Sequence, residues 1–163
     1  MIYIGIGSNL AGLKQEKPLH NCRKAIEYIQ KEVEIKQVST WYKSQPIPIS
    51  KQPWYINGVA EIKTKKTPIQ LLNFLVKIEK IFGRIRKKKN EPRIIDLDIV
   101  DYKNQIVSFN KKLKIPHPRM HQRAFVLLPL RELNPLWVHP ESKIKISTLI
   151  KELDKNQEIQ IIK

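Results

Sequence analysis

Apolar and polar positions alternate along this chain with two periods, and the switches between them mark out its elements. In Ile2-Tyr3-Ile4-Gly5-Ile6 the period is two, which predicts a β-strand over residues 1–7. Ser8-Asn9-Leu10-Ala11-Gly12 is turn chemistry. From Lys17 to Glu32 the period lengthens, and Leu19, Cys22, Ile26, Ile29 and Val33 share one face of an amphipathic helix. Val33–Tyr42 is strand-like again, with a change of phase between Ile35 and Val38 that predicts a bulge. Pro46, Pro48 and Pro53 make 43–53 a loop. Trp54–Lys63 returns to period two, with Ile56, Ala60 and Ile62 on one face and Tyr55, Asn57, Val59 and Glu61 on the other. Thr67-Pro68-Ile69-Gln70 opens a helix with a Thr cap, a first-turn Pro and a Gln placed for a capping box. Its buried stripe is Leu71, Leu72, Leu75, Ile78 and Phe82, up to Gly83. A basic segment follows, and then Ile95, Leu97 and Ile99 alternate with Asp96 and Asp98 in a last core strand.

The order β-α-β-β-α-β predicts an α+β, ferredoxin-like core, an antiparallel sheet with two helices packed on one face. Beyond residue 100 the pattern predicts an extension. It holds a turn at 101–104, a short strand at 105–108, helices at 124–132 and 147–153, and a strand at 158–162. No repeat or linker interrupts the chain, so residues 1–163 are expected to form one domain.

Composition narrows the class. The single Cys22 excludes an internal disulfide framework, and its place on the apolar helix face makes it a packing residue rather than a nucleophile. No apolar run reaches the length of a membrane span, and no charged leader precedes the first strand. These features predict a cytoplasmic protein with no membrane partner. The net charge of +16 admits polyanionic partners. It is concentrated in two places. Residues 84–93 carry Arg84, Arg86, Lys87, Lys88, Lys89 and Arg93 against Glu91, and residues 111–123 carry Lys111, Lys112, Lys114, Arg119 and Arg123 with no acid.

Those cations change the reading of the Asp strand. Alternation alone describes any strand with one wet face. Two carboxylates at i and i+2, roughly 6–7 Å apart at the backbone, repel unless something cationic lies between them. Carboxylates for hard cations such as Mg²⁺, with arginines for anionic oxygens, are the equipment of phosphoryl transfer. His117, stiffened between Pro116 and Pro118, can donate to a phosphate oxygen. No Walker P-loop is present, since Gly5-Ile6-Gly7-Ser8 lacks the lysine.

Taken together, Pro92-Arg93-x-Ile95-Asp96-Leu97-Asp98-Ile99 and His117-Pro118-Arg119-Met120-x-x-Arg123-Ala124-Phe125-Val126-Leu127-x-Pro129-Leu130 resemble the 6-hydroxymethyl-7,8-dihydropterin pyrophosphokinase family of folate biosynthesis. Gly7-Ser8-Asn9, Trp41-Tyr42, Tyr55-Ile56-Asn57, and Glu79 with Gly83-Arg84-x-Arg86 extend the likeness over nearly the whole chain, in order. The resemblance implies an enzyme that moves the β,γ-pyrophosphoryl unit of ATP to the hydroxymethyl group of a reduced pterin, leaving AMP. It implies two Mg²⁺ ions on Asp96 and Asp98, with Arg84 and Arg93 on the phosphates as catalytic residues. Glu79, Arg86, His117 and Arg123 are the implied ATP contacts, and Gly7, Tyr55, Asn57 and Phe125 the implied pterin pocket. Its partners would be these small molecules and no nucleic acid, and the chain is expected to be a monomer. The chain departs from many members at Asn90, where an aromatic commonly covers the pterin. The competing reading, a basic RNA-binding module of the same topology, calls for an RNP1-like Lys/Arg-Gly-aromatic run that is absent.

Overall fold

The computed structural model describes residues 1–83 and 91–162. The elements run β1 (Ile2–Ser8), α1 (Pro18–Gln30), β2 (Glu34–Val38), β3 (Tyr42–Ser44), β4 (Tyr55–Lys63), α2 (Pro68–Ile81) and β5 (Asp96–Tyr102). They continue through β6 (Val107–Phe109), β7 (Leu113–Ile115), α3 (Ala124–Leu133), α4 (Ile146–Lys151) and β8 (Ile159–Ile161). The main sheet has the order β5-β1-β4-β3-β8, with β2 also pairing to β4, and every pairing is antiparallel. This is the expected ferredoxin-like core, with β8 added at one edge.

Strand alternation gives the sheet two different faces. Ile2, Ile4 and Ile6 of β1, with Leu97 and Ile99 of β5 and Ala60 and Ile62 of β4, pack with Cys22, Ala25 and Ile29 of α1 and Leu71, Leu75 and Ile78 of α2. At Cys22, burial pushes the thiol up to about 12, so it stays protonated and inert. Helix α2 starts as the sequence predicts. Gln70 N–H donates to Thr67 Oγ1 and Thr67 N–H donates to Gln70 Oε1, a reciprocal cap of about 1 kcal/mol.

The opposite face is covered at one end by the extension. Tyr3, Val59 and Val100 pack there with Leu127 and Leu130 of α3, Trp137, and Ile146 and Leu149 of α4. The rest of that face is left as a cleft.

The elements differ from expectation in several places. The predicted bulged strand at 33–42 is two strands, β2 and β3, both on the same edge of β4. Ser39 sits between them, bonded to Val59 through both its backbone and its hydroxyl, and this turns the chain where the ladder breaks. Strand β3 therefore takes residues 43 and 44 from the predicted loop. Strand β5 runs on to Tyr102, because Asp101 is buried and accepts a hydrogen bond from the Trp137 indole at 2.9 Å. The turn is confined to Lys103 and Asn104, both with positive φ. Strand β7, which the pattern did not mark, pairs with β6 in a separate hairpin.

Candidate active site

The cleft is built from rows of residues that face each other across the sheet. Gly7 of β1 lies opposite Asp96 of β5 on one side and Asn57 of β4 on the other, and Asn57 in turn faces Tyr42 of β3. One step along, Gly5 lies between Asp98 and Val59. Residues paired across strands point to the same side of a sheet. Asp96 and Asp98 therefore stand on one bank and Asn57 on the other, and at these two positions the strand between them carries glycine. Those glycines are the floor. A methyl group on Gly7 would lie 2.8 Å from Asn57 Oδ1 and 3.7 Å from Tyr55 Cδ1.

Around this floor the cleft encloses about 210 Å³. Its walls include Tyr55, Asn57, Arg93, Asp96, Asp98 and His117, with Arg119, Arg123 and Phe125 from the extension. Nine of the sequence-predicted site residues meet here: Gly7, Tyr55, Asn57, Arg93, Asp96, Asp98, His117, Arg123 and Phe125. Glu79 does not line the cleft. It is buried between α2 and β5, where its carboxylate accepts a hydrogen bond from Leu97 N–H at 3.1 Å. Arg84 and Arg86 lie outside the described residues.

The charges are arranged in opposition. Arg93 Nη1 donates to Asp96 Oδ2 at 2.7 Å, with both side chains mostly buried. Burial alone would lower the Arg93 pKa, but Asp96, with Tyr55 and Asp98, raises it on balance and the charged form is held. Arg123 is pushed the other way, first by burial and then by Arg119. Its guanidinium also lies 5.4 Å from the centre of the Phe125 ring. Arginine does not deprotonate in proteins. Arg123 is thus a cation held at a cost that an incoming polyanion would relieve.

His117 lies 3.9 Å from Asp98, yet the two do not form an ion pair. Burial, followed by Arg123 and Arg119, lowers the imidazole to about 4, so it is neutral at pH 7. Its Nδ1 accepts from Arg119 N–H at 3.2 Å, which leaves the Nε2–H to face Asp98 and the cleft.

Sequence reasoning missed several lining residues. Pro46, Ile47, Pro48, Ser50 and Gln52 bring the proline-rich loop to the cleft wall. The prolines showed a loop but not its direction. Arg119 was visible within the His117 motif, where nothing separated it from a solvated arginine.

A family model for 7,8-dihydro-6-hydroxymethylpterin-pyrophosphokinase matches residues 3–135. The chain is 39% identical over 159 residues to the 2-amino-4-hydroxy-6-hydroxymethyldihydropteridine pyrophosphokinase of Haemophilus influenzae, covering 98% of this chain and 96% of that one. It is 38% identical over 153 residues to the protein of the same name from Synechocystis, covering 93% and 75%. Among solved structures, a Plasmodium falciparum HPPK-DHPS triple mutant with SDX-DHP superposes with a TM-score of 0.71 at 14% identity. The match covers 93% of this chain and 44% of that one, and at this identity it bears on fold alone.

Proposed function

The chain belongs to the 7,8-dihydro-6-hydroxymethylpterin-pyrophosphokinase family, and from that membership we propose that the glycine-floored cleft is where its reaction takes place. The reaction is transfer of pyrophosphate from ATP to 6-hydroxymethyl-7,8-dihydropterin, a step of folate biosynthesis. A bond forms between the hydroxymethyl oxygen and the β-phosphorus, the bond from that phosphorus to the α-phosphate bridging oxygen breaks, and AMP leaves. The observation that carries the assignment is the row Asp96–Gly7–Asn57. With the carboxylates and the Asn57 amide on opposite banks of one floor, it supports phosphate handling by the former and ring reading by the latter.

The cleft volume of about 210 Å³ is below the roughly 300–1,000 Å³ usual for sites that enclose a drug-sized ligand. It suits one bicyclic ring, with the triphosphate entering from the Asp96 side. Asn57 offers a donor and an acceptor to the ring edge, and Tyr55 and Phe125 offer aromatic faces. Arg93, Arg123 and the neutral His117 supply donors to phosphate oxygens. Glu79, at the junction of α2 and β5, and Arg86 are the proposed contacts for the nucleoside end of ATP. Arg84 joins Arg93 on the phosphates.

The donor set fits magnesium. Asp96 and Asp98 are oxygen donors two residues apart on one strand face, and the described residues hold no cluster of three metal-ligating side chains. Mg²⁺ commonly takes one or two carboxylates and completes its shell with water and substrate phosphates. Two such ions on Asp96 and Asp98 would neutralise the triphosphate charge that builds during transfer. The protein's own part is positioning and electrostatics, since phosphoryl-type transfer asks little covalent chemistry of side chains.

The sheet gives no support to the RNA-binding reading. Its second face is partly covered by α3 and α4, and what remains open carries two carboxylates that repel phosphate unless metal is present. Among the described residues no helix is long and apolar enough to cross a membrane. The test is to incubate the chain with ATP, Mg²⁺ and the hydroxymethyl-dihydropterin. Equimolar AMP and pterin diphosphate are expected. Release of ADP, or AMP formation indifferent to the pterin, would contradict the assignment.

A further inference from the structure

Asn9 is almost completely buried just beyond β1, outside the cleft lining, and its carboxamide joins two walls of the cleft. Its Oδ1 accepts from the Arg93 backbone N–H at 2.8 Å. Its Nδ2 donates to Pro53 O at 3.1 Å and to Gln52 Oε1 at 3.0 Å. The backbone N–H groups of Asn9 and Leu10 both donate to Arg93 O, at 3.0 and 3.1 Å. Arg93 is therefore held at both its backbone donor and its backbone acceptor, and two of these three bonds come from Asn9. The partners also fix which way the amide points. A backbone N–H only donates and a backbone carbonyl only accepts, so flipping Asn9 would set donor against donor and acceptor against acceptor.

We propose that Asn9 is a positioning residue that couples the ring-binding loop to the phosphate-binding arginine. This rests on the reading of the cleft given above. On one side Asn9 fixes the Cα of Arg93, so the guanidinium can leave Asp96 for a phosphate only by rotating its own side chain. On the other side it ties down the end of the loop whose Pro46–Gln52 portion forms the wall beyond Tyr55. Among side chains of this length only Asn both donates and accepts in this geometry. Aspartate keeps the acceptor that meets Arg93 N–H and loses the donor that meets Pro53 O. The two halves of the coupling can thus be separated by one atom.

The experiment compares Asn9→Ala and Asn9→Asp with the unaltered chain. Amide exchange of the Arg93 N–H, read without ligands, should accelerate at least about tenfold in Asn9→Ala and stay slow in Asn9→Asp. This readout answers whether or not the chain makes AMP, so its failure is distinct from failure of the assigned reaction. In the assay, Asn9→Ala should lower kcat about 10- to 100-fold and raise the pterin KM about tenfold, with affinity for a non-hydrolysable ATP analogue within about twofold. Asn9→Asp should raise the pterin KM similarly while keeping kcat within a few-fold of normal. If Asn9 acts through Arg93, its kcat effect should largely vanish in an Arg93→Ala background. Normal Arg93 exchange in Asn9→Ala would overturn the proposal. So would a kcat loss that adds in full to that of Arg93→Ala, or equal kcat losses in the Ala and Asp variants. Should Asn9→Ala not fold, Asn9→Asp still decides: fast Arg93 exchange or an unchanged pterin KM in that variant contradicts the coupling.

Discussion

Arg93 Nη1 lies 2.7 Å from Asp96 Oδ2, so the arginine proposed to bind phosphate is paired with the carboxylate proposed to hold metal. The pair is mostly buried, and removing one partner leaves the other uncompensated. In the proposed reaction Asp96 would help to hold a metal ion, and its carboxylate would then no longer claim the Arg93 guanidinium, which would be free for the phosphates. Arg93→Ala should lower kcat by about 10²- to 10³-fold with much less effect on ATP-analogue binding. Arg93→Lys should recover only part of the loss, because an ammonium cannot make the bidentate contact. Steady-state kinetics beside direct binding would check this. A kcat for Arg93→Ala within a few-fold of normal would remove Arg93 from the transition state.

The glycine floor makes a separate prediction. A Cβ at Gly7 would stand 2.8 Å from Asn57 Oδ1, closer than real Cβ atoms come, so the Asn57 side chain must shift. Asn57 is already fixed by a 2.6 Å bond from its Nδ2 to Ser44 Oγ. Gly7→Ala should therefore raise the pterin KM by about tenfold or more and cost about 1–3 kcal/mol of stability by overpacking. ATP-analogue affinity should be unchanged. An unaltered pterin KM in a folded Gly7→Ala would mean that the ring does not sit on this floor.

The pH dependence follows from His117. Its folded pKa of about 4 lies below the ordinary value of 6.5. Between those values the unfolded chain binds more protons than the folded one, so stability falls as pH drops through that window. Above pH 6.5 this contribution is flat, and below pH 4 it costs nothing further. The loss should be on the order of 1–3 kcal/mol. Denaturant unfolding of the metal-free protein at pH 7, 5.5 and 4.5, compared with His117→Gln, isolates it. The variant should show a shallower loss, and parallel curves would contradict a depressed His117. A histidine NMR titration should give the same value directly.

How much of this was legible beforehand depends on which interactions stay within one element. The two faces of β5 and β4 were readable because a strand's alternation is local, and so was the Thr67 cap. The break at Ser39 was not, because it is made by hydrogen bonds to Val59, twenty residues away. The apolar and acidic pattern could not extend β5 through Asp101, since burial of that carboxylate depends on the Trp137 indole. Gly5 and Gly7 read as positions of the first strand, but only strand register sets them between the aspartates and Asn57. Gln52 and Arg119 line the cleft through loop paths that no periodicity records. Glu79 falls beside Ile78 and Phe82 on the predicted helix, but only the packed structure shows its carboxylate on the backbone of Leu97.

Asp96 and Asp98 are proposed to be the carboxylates that handle the phosphates. The most direct test is pterin-dependent AMP formation by the double variant Asp96→Asn/Asp98→Asn at saturating Mg²⁺. Circular dichroism and thermal unfolding would check that the fold is intact. Amide side chains keep the shape of the cleft and remove the two charges. The predicted result is a normally folded protein whose turnover has fallen by about 10³-fold or more, with no recovery as Mg²⁺ is raised. A folded double variant that makes AMP within about tenfold of the normal rate would contradict the central claim.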